Sequence, residues 1–78
     1  MNQENRQVHR KISVSGMKKW KDTIYTSIAN NPDGMTFYQL LILWKDDGVS
    51  INMLRQILSE LVNEQRITEN DNIYRVVE

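Results

Sequence analysis

Apolar residues recur along this chain with two different periods, and the change of period divides it into elements. Residues 1–15 are polar, with only Val8, Ile12 and Val14 as aliphatics and no helical spacing, which predicts a flexible arm ahead of the domain. From Met17 the positions Met17, Trp20, Ile24 and Ile28 follow at steps of three and four. That is one stripe of a helix, with Ser15 as its expected cap and its end near Asn30. The stretch "NNPDG" stops it, because Pro32 has no N–H to donate and Gly34 tolerates a positive φ.

In "MTFYQLLILWKDDG", Thr36 and Gln39 stand at the spacing of a capping box, in which each side chain satisfies the other residue's free backbone N–H. A second helix is therefore predicted from about Phe37 to the turn at Gly48. Phe37, Leu40, Leu41 and Trp44 share one face, yet Tyr38, Ile42 and Leu43 lie elsewhere, which is more apolar surface than a half-exposed helix hides. Either this helix is central or part of it meets another chain. Ser50 caps a third helix, over about 51–64, whose buried stripe is predicted as Ile51, Leu54, Ile57, Leu58, Leu61 and Val62. Its outward side is then Asn52, Gln56, Ser59, Glu60 and Asn63, with Met53 and Arg55 on the flanks. After Glu64 the pattern turns β-rich: "RIT" and "IYRVV" are joined through "ENDN", predicting a hairpin with its tip near Asn70–Asp71.

Composition bounds what these elements can build. At 78 residues there is room for one domain, here 16–78, and a domain of this size buries only about 60% of its unfolded surface. With no cysteine, neither a disulfide nor a thiolate metal site can add stability. The N-terminus lacks the apolar run of a signal peptide and no stretch approaches the roughly 18 apolar residues of a membrane span, so a cytoplasmic location with no membrane partner is expected.

The formal net charge of zero conceals a split. Residues 1–21 carry Arg6, Arg10, Lys11, Lys18, Lys19 and Lys21 against Glu4, or +5, while residues 22–78 carry four cations against nine acids, or −5. A basic arm joined to an acidic body is one reading and a solvated tail is the other.

Three stretches taken together, "PDGMTFYQL", "VSINMLRQILSELVNEQRI" and "ITENDNIYRV", resemble the winged helix-turn-helix superfamily over roughly Ser15 to Glu78. The resemblance implies an α+β, mainly α fold: a three-helix winged helix-turn-helix with a C-terminal β-hairpin wing. It also implies that the third helix enters the DNA major groove, with Ser50, Asn52, Met53, Arg55, Gln56 and Ser59 at its base-facing end. Asn and Gln suit adenine edges and Arg suits guanine. Arg66 and Arg75 flank the hairpin base, and Arg6, His9, Arg10 and Lys11 of the arm, with Lys18, Lys19 and Lys21, are the candidate phosphate contacts. Glu69 and Asp71 at the wing tip depart from this pattern, as do Glu60 and Glu64, because acids repel a phosphate backbone.

Other chemistry has little purchase. His9 has no cysteine or second histidine with which to hold a metal, and Asp46 and Asp47, adjacent on a helix, cannot face one reacting bond. With no phosphate loop or nucleophile elbow, neither an enzyme nor a cofactor is expected. Trp20 and Trp44 could stack on bases, but each lies in the apolar stripe of its helix, which favours the core. Two functions stay open: a small transcriptional regulator binding double-stranded DNA, dimeric through helix two, or a winged-helix module that binds a protein partner and not DNA.

Overall fold

A computed structural model of the chain describes residues 14–77, with side chains from Gly16 onward. The elements run α1 (Val14–Ala29), β1 (Met35–Thr36), α2 (Phe37–Trp44), a single 3₁₀ turn (Lys45–Asp47), α3 (Ile51–Asn63), β2 (Ile67–Asn70) and β3 (Ile73–Val76). Three helices stand against a three-stranded antiparallel sheet of order β1-β3-β2, an α+β, mainly helical layout like that of winged-helix domains. Up to residue 13 the expected arm, with Arg6, His9, Arg10 and Lys11, lies outside the described residues. Its last two positions, Val14 and Ser15, are already helical, so Ser15 is within α1 and does not cap it.

Local chemistry sets the other boundaries. Thr36 Oγ1 accepts from the Gln39 N–H at 3.1 Å and Gln39 Oε1 accepts from the Thr36 N–H at 2.9 Å, closing the capping box. Ser50 Oγ accepts from the Met53 N–H at 3.1 Å and starts α3. Between α1 and β1 the chain reverses at Gly34, whose φ of 92° needs glycine. A Cβ there would overlap Ile73 Cγ2 and approach the Tyr74 carbonyl to 3.0 Å, so the missing side chain is also what lets β1 lie against β3. The two pair with Met35 opposite Tyr74 and Thr36 opposite Ile73.

The core is built from one face of every helix: Ile24 and Ile28 of α1, Leu40 of α2, and Met53, Leu54, Ile57, Leu58 and Leu61 of α3, closed by Met35, Val49 and Ile67. The stripe on α3 differs from expectation at its first turn. Met53, Ile57 and Leu61 stand at i, i+4 and i+8, so Met53 belongs to the buried line and is 8% exposed, whereas Ile51 is half exposed. Trp20 and Trp44 meet edge to face at 5.4 Å, and Trp44 Nε1 donates to Ser27 Oγ at 2.9 Å. Ser27 Oγ donates in turn to the Thr23 carbonyl at 3.0 Å, so the partly buried indole is held against the core with its polar edge satisfied.

The hairpin turns one residue later than predicted. Asn70 still pairs with Ile73 in the ladder, leaving Asp71 and Asn72 as a two-residue loop with φ of 55° and 67°. Two positive φ values match the right-handed twist of the strands, and Glu69 Oε2 accepts from the Asn72 N–H at 3.0 Å to fix the loop.

Candidate nucleic-acid interface

Because α3 buries one line of side chains, the residues between them must face water. Asn52, Arg55, Gln56, Ser59 and Asn63 are all exposed, forming a polar stripe opposite the core. Met53 is the one candidate of the base-facing set that falls on the wrong side. Its thioether fills the core and is corrected from contact residue to packing residue. Ser50 is exposed, but its hydroxyl is engaged as the cap.

α1 lies beside this stripe, and between the two helices is a groove of about 450 Å³ lined by Met17, Lys18, Lys21, Asp22, Gln56, Glu60 and Arg66. It brings together four candidates, Lys18, Lys21, Gln56 and Arg66, from distant parts of the chain. Lys19, next to Lys18 in sequence, points elsewhere and lines a separate groove with Thr23, Thr26 and Trp44. Arg75 is exposed on β3, with its aliphatic stem beside Gly34.

Most cations near the groove already have partners. Lys21 Nζ pairs with Glu60 Oε1 at 3.2 Å and hydrogen-bonds Glu64 Oε2, joining α1 to α3. Its side chain is only 18% exposed, so it is anchored along its stem. The Glu64 hydrogen bond raises the Lys21 pKa; partial desolvation opposes it, and the Glu60 hydrogen bond adds to the rise. The hydrogen bond from Gln56 and then that from Lys21 hold the Glu60 carboxyl below its ordinary value. Arg66 stacks its guanidinium over Tyr25, 4.5 Å from the ring centroid, with Glu64 Oε1 at 3.7 Å from Nη1. Arg55 lies over Phe37 at 5.2 Å, and Lys18 sits 3.8 Å from Asp22. Burial, and then Glu69, push the Tyr74 phenol up, with Arg55 opposing.

Residues 14–77 carry seven cations (Lys18, Lys19, Lys21, Lys45, Arg55, Arg66, Arg75) and eight acids (Asp22, Asp33, Asp46, Asp47, Glu60, Glu64, Glu69, Asp71), a net of −1. The hairpin loop is acidic and exposed at Glu69 and Asp71. What the sequence did not reveal is the Lys21 clasp: its partners are 39 and 43 positions away, and no local spacing signals such a contact.

A second surface is apolar. On α2, Tyr38 is 68% exposed, Ile42 50% and Leu43 49%, and the last two line a shallow groove with Asn31, Gly34, Met35 and Gln39. Among the described residues no helix is long and apolar enough to cross a membrane, and no group of three or more metal-capable side chains occurs. The chain matches no protein-family model, no curated protein and no solved structure.

Proposed function

We propose that this is a small non-catalytic DNA-binding protein of the winged helix-turn-helix type, a cytoplasmic transcriptional regulator that lays α3 in the major groove. The observation that carries this reading is the unbroken exposed stripe Asn52, Arg55, Gln56, Ser59 and Asn63, whose amides and guanidinium match base edges. Lys18, Arg66 and Arg75 supply phosphate contacts from the body, while Lys19 lines a separate groove. Arg6, Arg10 and Lys11 of the basic arm add to them. Self-association through Tyr38, Ile42 and Leu43 of α2 would present two copies of α3, as a two-fold symmetric site requires.

Fluorescence anisotropy on duplex DNA across a salt series tests it. Binding is expected to weaken with a log–log slope of roughly −4 to −6, each neutralised phosphate contributing about −0.9. Replacing Arg6, Arg10 and Lys11 together with glutamine is expected to flatten that slope by about 3. Absence of binding at low salt would refute the proposal. It would favour the second reading, a protein-binding module without DNA, for which the acidic Glu69–Asp71 loop and the apolar face of α2 speak.

A further inference from the structure

Glu60 is an odd residue for a DNA-reading helix, since a carboxylate beside the base-facing side chains repels phosphate. Its two oxygens are used differently. Oε1 takes Lys21 Nζ at 3.2 Å, and Oε2 accepts from Gln56 Nε2 at 3.2 Å, one helical turn back on the same face. Lys21 is in turn held by Glu64 and by the walls of the α1–α3 groove. The carboxylate is thus fixed from one side and offered to Gln56 on the other.

A carboxylate only accepts, so it is the amide nitrogen of Gln56 that faces Glu60. One of its two N–H groups is consumed there. What remains to point outward is one donor, the second N–H, and one acceptor, Oε1. That pair complements the major-groove edge of adenine, with Oε1 accepting from the N6 amino group and the N–H donating to N7. Guanine offers two acceptors, and cytosine offers one donor, so each satisfies at most half of the amide.

Resting on the DNA-binding reading above, we propose that Glu60, anchored by Lys21, is a positioning residue that presets the Gln56 amide to read adenine. The clasp removes rotamer freedom from a long side chain before DNA arrives, which is where its advantage over an unrestrained glutamine lies. The same contact offsets the charge of Glu60, so the acid can be tolerated next to the backbone.

The test is selection by the full chain from a pool of duplexes with a randomised central stretch, sequenced for the wild type, Gln56→Ala, Glu60→Ala and Glu60→Gln. Gln56→Ala identifies the base position that this side chain reads. There the wild type is expected to prefer adenine roughly tenfold, the scale of one bidentate contact. Glu60→Ala removes charge and acceptor together and is expected to reduce the preference to about twofold while overall affinity holds or rises. Glu60→Gln removes the charge and leaves one acceptor oxygen for Gln56 in place of two, and is expected to keep a preference between that of the wild type and that of Glu60→Ala. The pair separates positioning from repulsion, which would move affinity alike in both variants and leave base choice untouched. A base other than adenine at that position, or an unchanged preference in Glu60→Ala, overturns the positioning role while DNA binding stands. A wild type that selects nothing overturns the DNA-binding reading as well.

Discussion

Gln65 holds a left-handed backbone, φ 62°, at the end of α3. Its N–H reaches the Val62 carbonyl at 2.9 Å and the Arg66 N–H reaches Leu61 at 3.0 Å, the two bonds of a Schellman ending, in which glycine is the usual occupant. A side chain in that conformation costs about 1–2 kcal/mol, and glycine's looser unfolded state offsets part of the gain. Gln65→Gly is therefore expected to stabilise the fold by about 0.5–1 kcal/mol, raising Tm by a few degrees in thermal unfolding, and an unchanged or lower Tm would contradict the strain. Residues whose role is local were legible beforehand: Thr36 with Gln39, Ser50 as a cap and Gly34 as a turn each act within four positions. Gln65 was not, because nothing in "NEQR" distinguishes a left-handed glutamine from a helical one. Ser15 failed for the opposite reason, a good capping residue that the helix simply runs through.

At the scale of elements, α2 is the informative case. Its periodicity set Phe37, Leu40, Leu41 and Trp44 against the core, and left over Tyr38, Ile42 and Leu43, which the structure leaves exposed. The sequence left open whether the helix is central or partly a surface; at eight residues it buries only one side, and the surplus stands exposed. If that surface is where two copies meet, sedimentation should show concentration-dependent dimers, and Ile42→Glu should leave a folded monomer. Monomers of the wild type at high concentration would remove the dimer. On α3 the register of the stripe was legible in its middle and wrong in its first turn. Met53 and Ile51 are both apolar, and only the tertiary line through Ile57 and Leu61 decides which is inside.

Over the whole molecule the decisive feature is how charge is distributed. The body from residue 14 to 77 is close to neutral, and its groove cations are engaged with Glu60, Glu64, Asp22 and aromatic rings. On the proposed DNA-binding reading, affinity would come from few phosphate contacts plus the arm, and discrimination from the stripe on α3. The stripe could be read in the sequence because the leucine spacing defines its complement. The clasp of Lys21 on Glu60 could not, since the two meet only after α1 and α3 have packed. The most direct measurement is mapping of backbone amide shifts by NMR as duplex DNA is added to the labelled chain. The expected result is perturbation concentrated on Ser50 to Asn63, on Lys18 and Arg66 at the groove, and on the phosphate-contacting Arg75, Arg6, Arg10 and Lys11, with Tyr38, Ile42 and Leu43 unmoved. Shifts concentrated on α2, or none on α3 at saturating DNA, would contradict the assignment of α3 as the reading surface.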